Sequence, residues 1–167
     1  EDEWERIIAD PTTDELIRDR LQRLLELRRA GAEIQVVAAD VADADQMERV
    51  FQAASQRFGA VDGIIHAAGL VGEDSFATIK DCERQACERQ FRPKVQGLLA
   101  LEQVLAQRSL DFCLLCSSLS PILGGLGFST YAAANLYLDA AAQSHNRRSP
   151  TPWLSVNWEG WHFDGEI

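Results

Sequence analysis

The sequence lacks any apolar run approaching the roughly 18 residues that a membrane-spanning helix needs. It also lacks an excess of positive charge, because 16 Lys and Arg residues stand against 26 Asp and Glu residues, giving a formal net charge of −10 at pH 7. Nucleic-acid binding requires basic patches that contact phosphates, so this balance argues against a nucleic-acid partner. The acidic N-terminus does not resemble a secretory signal. We therefore predict a cytoplasmic chain that binds neither membrane nor nucleic acid.

Cysteine and histidine are scarce, and their spacing does not suit a metal. The three histidines, His66, His145 and His162, show no ligand spacing with one another or with the four cysteines. Cys113 and Cys116 have the spacing of a redox pair, but they lie in an apolar, strand-like run where residues three apart point to opposite faces. The pattern predicts buried, inert thiols, no metal site and a reducing compartment.

What the sequence does contain is an alternation of helical and strand-like segments. With 167 residues, 46% of them hydrophobic, the chain suits one domain with a real core. Helices are predicted over residues 1–11, from a capping box at Thr12–Glu15 to Gly31, from Asp43 to Gly59, from about Lys80 to Gln107 with a kink at Pro93, and from about Ser129 to Asn146. Strands are predicted at Glu33–Ala39, Val61–His66, Leu110–Cys116 and Trp153–Trp158. Such alternation predicts an α/β fold with a parallel sheet.

A small polar set falls where a parallel sheet binds its ligands. Ser118 follows the apolar run that ends at Cys116, so its hydroxyl is expected where a strand opens into a loop. Tyr131 and Asn135 are four residues apart and share one face of a helix. Strand ends facing helix starts form the ligand crevice of open parallel sheets. Lys94 supplies a cation, and a nearby ammonium makes a phenol more acidic, so the set predicts a proton-donating site.

These residues resemble the short-chain dehydrogenase/reductase superfamily, and within it the ketoreductase domains of modular polyketide synthases and animal-type fatty acid synthases. Most of the superfamily carries Tyr-x-x-x-Lys, whereas here position 135 is Asn and the lysine is Lys94, an exchange that marks the synthase ketoreductases. The resemblance extends from Gly31 onward through Asp40–Val41, His66–Gly69, Phe91–Lys94, Ser117–Ser118, Tyr131–Asn135 and Val156–Trp158. It implies a Rossmann-like, doubly wound parallel sheet in a single partial domain, with residues 1–31 a helical lead-in and residues 32–167 the catalytic core.

The resemblance also implies that this fold is incomplete in the chain. Folds of this type open with a strand, a Gly-x-Gly-x-x-Gly turn and a helix, and nothing before Gly31 resembles that turn. We expect the first two strands and the last strand to be absent, which leaves a gap in the centre of the sheet and exposes strand edges. The isolated chain is then expected to be unstable, and the rest of the ketoreductase is expected from another segment or another chain.

The resemblance gives four residues catalytic roles. It makes Tyr131 the proton donor, Lys94 the cation that acidifies the phenol, and Ser118 the group that hydrogen-bonds the substrate carbonyl. Asn135 holds the lysine and a water in a proton path. Each residue has a structural alternative: packing for the tyrosine, a local backbone hydrogen bond for the asparagine, a surface cation for the lysine and a turn for the serine.

The family's cofactor is NADPH, and the resemblance implies a set of residues that contact it: Asp40, Val41, Ala67, Ala68, Gly69 and Asn157. Asp40 lies by the adenine ring in the family, and its alternative is an aspartate that only leads into a helix. The small residues 67–69 let the backbone approach the ribose and nicotinamide, and Asn157 lines the nicotinamide pocket. The preference for NADPH over NADH rests on the family alone, because the basic residue that selects it lies outside this sequence.

Two residues near the tyrosine are candidates for substrate binding, Leu123 and Phe128, with core packing the alternative for Phe128. In these ketoreductases a Leu-Asp-Asp string accompanies one hydroxyl stereochemistry, and a tryptophan eight residues before the tyrosine accompanies the other. Here those positions hold Val71–Glu73 and Leu123, so the sequence assigns neither outcome.

The leading hypothesis is reduction of a β-ketoacyl thioester on an acyl carrier protein to a β-hydroxyacyl thioester, within a polyketide synthase. The alternative is a catalytically silent or epimerising ketoreductase-like domain that is a structural part of a synthase module. A free-standing dehydrogenase of the wider superfamily is disfavoured, because Asn135 stands where that group carries lysine.

Overall fold

The computed structural model of the protein describes residues 2–70 and 78–159. The elements of these ranges are α1 (Asp2–Ala9), α2 (Glu15–Arg29), α3 (Ala44–Phe58), β1 (Gly63–His66), a 3₁₀ turn (Ile79–Asp81), α4 (Arg84–Phe91), a π-helical segment (Arg92–Gln96), α5 (Gly97–Leu105), β2 (Phe112–Ser118), α6 (Ser120–Leu123), α7 (Ser129–Asn146) and β3 (Trp153–Trp158). The chain forms two compact units, 1–37 and 38–167. No helix within the described ranges is long and apolar enough to cross a membrane.

The first unit is a helical hairpin of α1 and α2. The guanidinium of Arg28 lies 4.0 Å from the ring centroid of Trp4, which joins the two helices. The predicted capping box at Thr12–Glu15 is wrong. Helix α2 is instead capped by Asp14, whose carboxylate accepts from the backbone N–H groups of Leu16 and Ile17, because an aspartate directly before the first helical turn reaches its orphan donors.

The second unit contains a parallel sheet in the order β1-β2-β3, as the alternating pattern predicts. In its register Ile64, Cys113 and Trp153 lie side by side and point to one face of the sheet. Helices α5 and α7 cover that face. The core there consists of Leu98, Cys113, Leu115, Leu138, Ala142 and Trp153. A neighbouring cluster of Phe51, Leu101 and Val104 extends it under α3.

The predicted strand at Glu33–Ala39 is wrong. The structure assigns no strand there, and Val36 and Val37 are 63% and 46% exposed. A β-strand is defined by a hydrogen-bonded neighbour, and within the described residues β1 pairs only with β2. The apolar pattern of this segment therefore has no partner strand to pair with.

The predicted long helix with a distortion at Pro93 is confirmed in a specific form. Helical structure runs from Arg84 to Leu105, and its middle, around Pro93, is π-helical. Proline has no N–H to donate to the preceding turn, and the backbone N–H of Gly97 reaches back to the carbonyl of Arg92, five residues earlier. This wider turn contains Lys94, which is only 5% exposed.

Two further boundaries matter for the polar residues. Strand β2 ends at Ser118 rather than at Cys116, so both Ser117 and Ser118 belong to the strand. The burial predicted for Cys113 and Cys116 is confirmed for Cys113, whereas Cys116 is partly exposed. Cys82 and Cys87 are also partly exposed and lie beside and in the first turn of α4.

Candidate functional site

The carboxyl ends of the three strands bring the predicted site residues to one edge of the sheet. Ser118 is the last residue of β2, and Asn157 pairs in register with Ser117. Residues 67–69 follow β1 directly. The first turns of α7, which contain Tyr131, begin shortly after β2. This is the edge at which parallel sheets bind their ligands.

Lys94 enters this edge from the π-helical segment. Its Nζ donates to the backbone carbonyl of Cys116 at 3.0 Å, which uses one of its three donors and fixes the ammonium beside β2. Burial lowers the pKa of Lys94 below its ordinary value, while the negative charge of Asp139 acts in the opposite direction. Lys94 is therefore not a surface cation, which was its structural alternative.

The ammonium of Lys94 lies beside the phenol ring predicted to donate a proton. Nζ is 6.0 Å from the ring centroid of Tyr131. The Tyr131 ring also contacts Phe128, with ring centroids 6.0 Å apart and planes at 71°. The tyrosine ring is thus in contact with a cation and with a second aromatic ring.

Asn135 is fully buried one turn below Tyr131. Its Nδ2 donates to the Tyr131 carbonyl at 2.9 Å, the local backbone bond that sequence reasoning named as its alternative role. The Oδ1 atom, however, is buried and accepts from no group of the described residues. Buried polar atoms without a partner are uncommon in folded proteins. This oxygen is therefore able to accept a further hydrogen bond, one helical turn from Tyr131.

Ser118 is held in a donor orientation. The backbone N–H of Ser120 donates to its Oγ at 3.1 Å, which fills an acceptor position and leaves the hydroxyl proton to be donated. The carbonyl of Ser118 accepts from Asn157 Nδ2 at 2.8 Å. Asn157 therefore braces the end of β2 from the neighbouring strand.

Asp139 is a member of this site that sequence reasoning missed. Its carboxylate accepts from Ser155 Oγ at 2.5 Å and from Asn157 Nδ2 at 3.1 Å. The available signal was the spacing of Tyr131, Asn135 and Asp139, which are four residues apart on one helix face. An acid at the third position of that series fixes the Asn157 amide and faces the site from α7.

His66 is a second residue that was missed. It ends β1, is 3% exposed, and has a hydrogen bond to the backbone of Pro93, which can only accept. Burial, followed by the positive charge of Lys94, lowers the pKa of His66 to about 4. The imidazole is therefore neutral at pH 7 and adds no second positive charge near Lys94.

Asp40 and Val41 lie on the flank of the site. The carboxylate of Asp40 is 2.6 Å from Arg92 Nη2, and this hydrogen bond lowers the pKa of the Asp40 carboxyl. Val41 packs directly against Gly97. A Cβ at position 97 would lie only 2.9 Å from Val41 Cγ1, so the glycine allows this close approach. The structure links both residues to the segment that carries Lys94, two residues after Arg92.

The loop that follows β1 is built from small residues. Ala67, Ala68 and Gly69 present no side chain larger than a methyl group. A Cβ on Gly69 would lie 3.2 Å from Lys94 Cε, tighter than ordinary packing, so the glycine lets the lysine pass directly under the loop. Of the residues predicted to contact NADPH, 67–69 and Asn157 thus lie at the carboxyl ends of β1 and β3, the edge at which parallel sheets bind their ligands.

A cleft of about 370 Å³ opens beside Phe128, lined by Thr78, Ile79, residues 124–127, Ser129 and Ala132. Phe128 is part of its wall, whereas Leu123 is 75% exposed beside the same loop. The stereochemical positions Val71–Glu73 lie outside the described residues. Within residues 2–70 and 78–159 no three His, Cys, Asp or Glu side chains converge as a metal site.

Comparison with known proteins identifies the family. The model of the KR domain family matches residues 6–163. The chain is 33% identical over 147 residues to "Polyketide synthase PksM" of Bacillus subtilis (strain 168), a match that covers 88% of this chain and 3% of PksM. The chain therefore spans only a small part of this relative.

Solved structures agree with that assignment. A structure described as an N-terminal ketoreductase from the macrolactin assembly line superposes with a TM-score of 0.76 at 34% identity, covering 84% of this chain and 29% of the other. A short-chain dehydrogenase/reductase from Brucella melitensis superposes with a TM-score of 0.68 at 18% identity, over 85% and 58% of the two chains. The second match shows the fold alone, and it confirms the predicted Rossmann-like α/β architecture.

Proposed function

The chain belongs to the KR domain family, and on this premise we propose that it reduces a β-ketoacyl thioester to a β-hydroxyacyl thioester with NADPH. The proposed substrate is carried on an acyl carrier protein. Support for this substrate comes from relatives that are named polyketide synthases and from a similar structure named as an assembly-line ketoreductase.

One observation carries the proposal: a buried ammonium next to the phenol ring at the carboxyl edge of the sheet. The Lys94 nitrogen is 6.0 Å from the Tyr131 ring centroid and is anchored on the Cys116 carbonyl. In the proposed reaction this cation is the group that offsets the negative charge formed when Tyr131 gives up its proton. A purely structural tyrosine requires no such buried charge.

The proposed proton chemistry follows from the donors that the site offers. Tyr131 donates its phenolic proton to the substrate carbonyl oxygen, and Ser118 donates a second hydrogen bond to the same oxygen as it gains negative charge. Lys94 stabilises the phenolate that remains. Bound NADPH supplies the hydride, which no protein side chain can provide.

Asn135 and Asp139 have supporting roles in this proposal. The buried Asn135 Oδ1 has no donor among the described residues, and we assign to it a water that returns protons to Lys94. Asp139 orients Asn157 toward the nicotinamide side of the site through its 3.1 Å hydrogen bond. Phe128 and Leu123 are assigned to the acyl chain, at the apolar cleft beside the tyrosine.

Replacing Tyr131 with Phe tests the proposal. Tyr131→Phe removes only the hydroxyl, so kcat for reduction of a β-ketoacyl thioester should fall by ~10²-fold or more. The dissociation constant for NADPH should remain within about twofold, because the ring that contacts Phe128 is retained. The measurements are NADPH oxidation in the full-length protein and direct titration of the cofactor.

The other tyrosine of the chain provides the matched control. Tyr137 lies on the same helix and packs against the core cluster, so Tyr137→Phe should keep kcat within a few-fold. Equal activity of Tyr131→Phe and wild type would remove Tyr131 as the acid. A wild-type protein that binds NADPH and exchanges the substrate's α-proton without reducing the ketone would favour the epimerising alternative.

A further inference from the structure

Two cysteines form a close pair outside the sheet. Cys82 ends the 3₁₀ turn, and Cys87 lies in the first turn of α4. Their Sγ atoms are 3.2 Å apart. A disulfide requires an S–S distance of about 2.05 Å, so the two sulfurs need to approach by only about 1 Å to be joined.

The pair is in direct contact with the residue that precedes the proposed acid. Cys82 Sγ is 3.1 Å and Cys87 Sγ is 3.7 Å from the hydroxyl oxygen of Thr130. Thr130 is the second residue of α7, and Tyr131 follows it. A change of bonding at either sulfur therefore reaches the start of the helix that positions the phenol.

Accessibility separates this pair from the Cys113 and Cys116 pair of β2. Cys82 and Cys87 are both partly exposed, so a small oxidant reaches them from solvent. Cys113 is fully buried, and burial raises its pKa to about 12. Cys113 and Cys116 also point to opposite faces of the strand, which prevents a bond between them.

The two sulfurs are also chemically unequal. Hydrogen bonding to Thr130, and then to Cys87, lowers the pKa of Cys82. The hydrogen bond with Cys82 raises the pKa of Cys87. Redox-sensitive proteins use the same arrangement: one thiolate attacks the oxidant, and a neighbouring protonated thiol then resolves the product.

We propose that Cys82 and Cys87 are a reversible oxidation site, which a peroxide converts to a disulfide that slows the reaction at the neighbouring Tyr131. The part concerning activity rests on the proposed function, whereas the disulfide itself does not.

The step balances with one peroxide molecule. The Cys82 thiolate attacks a peroxide oxygen, so that an S–O bond forms and the O–O bond breaks, and the departing hydroxide takes up a proton to become water. Cys87 sulfur then attacks the sulfenic sulfur, the S–S bond forms, the S–O bond breaks, and the second hydroxide leaves as water with the proton of Cys87. Two electrons pass from the two sulfurs to the peroxide.

Joining the sulfurs alters the contacts of Thr130. Neither sulfur in a disulfide carries a proton to donate, and their approach draws at least one of them away from the Thr130 hydroxyl. A displacement of ~1 Å at a catalytic group costs up to ~100-fold in rate. We expect oxidation to lower kcat by ~10-fold or more while leaving NADPH affinity within a few-fold.

The sequence between the cysteines makes the bond directly measurable. Trypsin cuts after Lys80, Arg84 and Arg89, so peptides 81–84 and 85–89 separate in the reduced protein and stay joined by the disulfide. The full-length protein is treated with hydrogen peroxide, its remaining thiols are alkylated, and its tryptic peptides are analysed by mass spectrometry. The expected result is a joined 81–84/85–89 pair that dithiothreitol separates.

Cysteine variants provide a second test of the disulfide. Cys82→Ser and Cys87→Ser should each abolish the joined peptides. Cys82→Ser, which lacks the attacking sulfur, should also make the ratio of kcat before and after peroxide close to one. Cys113→Ala, which leaves the pair intact, should form the joined peptides as wild type does. Over-oxidised cysteines without joined peptides, or joined peptides in Cys82→Ser, would overturn the proposal.

Activity and bond formation are read separately. Absence of ketone reduction in the reduced wild type counts against the proposed function, and the peptide result still decides whether the disulfide forms. Joined peptides with an unchanged kcat overturn the claim that the bond slows the site. Loss of activity that persists in Cys82→Ser, which lacks the attacking sulfur, assigns the damage to another residue and overturns it as well.

Discussion

The carboxyl and amino ends of the sheet hold their polar side chains in different ways. At the amino end, Asn146 uses both ends of its amide on one residue, accepting from the Trp153 N–H and donating to the Trp153 carbonyl, each at 2.8 Å. At the carboxyl end, Lys94 uses one donor and Asn135 leaves a buried oxygen without a donor from the described residues. The Asn146 amide thus fastens a helix to a strand, whereas Lys94 and Asn135 are able to form further hydrogen bonds.

Cavity size does not locate the site. The cavity at the amino end has a volume of about 430 Å³ and includes His145, stacked 4.0 Å from Trp153, in its wall. The cleft beside Phe128 at the other end has about 370 Å³. The cavity at the amino end contains charged side chains, Glu102, Arg108 and Arg148, but none of the predicted site residues lines it. Ligands of open parallel sheets bind outside the carboxyl ends of the strands. Chemistry, rather than volume, therefore locates the site.

Removing the charge at the carboxyl end should have the largest effect. Lys94→Met keeps the length of the side chain but deletes the ammonium beside Tyr131, so kcat should fall by ~10²-fold or more. Stability should change little or rise, because burying a lysine carries a desolvation cost that methionine does not. The measurements are NADPH oxidation kinetics and urea unfolding of both proteins.

The chain contains one other lysine, which serves as the control. Lys80 is exposed in the 3₁₀ turn, so Lys80→Met should retain kcat within about twofold, as surface substitutions usually do. Lys94→Arg should not restore activity. The lysine passes so close to residue 69 that even a Cβ there would lie 3.2 Å from Lys94 Cε, which leaves little room for a planar guanidinium. Full activity in Lys94→Met would separate this end of the sheet from catalysis.

The next effect concerns pH and the neutral His66. Its folded-state pKa of about 4 lies below the ordinary value of 6.5, so the folded protein binds fewer protons than the unfolded chain. Stability is therefore complete above about pH 6.5 and is lost as pH falls toward about 4, by about 3 kcal/mol at most for this residue. Urea unfolding at a series of pH values measures the slope.

The variant His66→Asn isolates that contribution. Asparagine retains a donor for the Pro93 carbonyl but does not titrate, so the fall in unfolding free energy between pH 6.5 and 4 should become smaller. Some dependence should persist, because burial also lowers the pKa of His145 in the same direction. Identical slopes for the variant and the wild type would assign the acid sensitivity to other groups.

The sequence predicted those parts of the fold that depend on local patterns. Helix α7 and strand β3 have the predicted boundaries, because uninterrupted helical and strand-like patterns meet there at clear turns. The segment Glu33–Ala39 failed because its apolar pattern reveals propensity but not whether a neighbouring strand exists to accept its hydrogen bonds. A strand needs hydrogen bonds to residues that are distant in sequence, whereas the hydrogen bonds of a helix are local.

In the site, too, some features were predicted from the sequence and others became visible only in the tertiary structure. Lys94 and Tyr131 could be brought together from a family resemblance, although they are far apart in sequence, but the π-helical turn that buries the lysine follows from the backbone at Pro93. Asp139 was missed because an acid on a helix surface is usually solvated, and only the fold shows that Asn157 faces it. Cys82 and Cys87 were missed because a loop and a helix end bring them together.

The smallest effect should come from the amino end. Asn146→Ala removes two hydrogen bonds and leaves the N–H of the buried Trp153 without its partner, so the free energy of unfolding should fall by about 1–3 kcal/mol. The kcat value should stay within about twofold, since no proposed catalytic group contacts this amide. Gln143→Ala, an exposed substitution on the same helix, should change stability by no more than ~0.5 kcal/mol. If Asn146→Ala reduced kcat as strongly as Lys94→Met without loss of stability, the distinction between a fastening end and a reacting end would fail, because the helix that carries Tyr131 would then transmit the amino-end contact directly to the phenol.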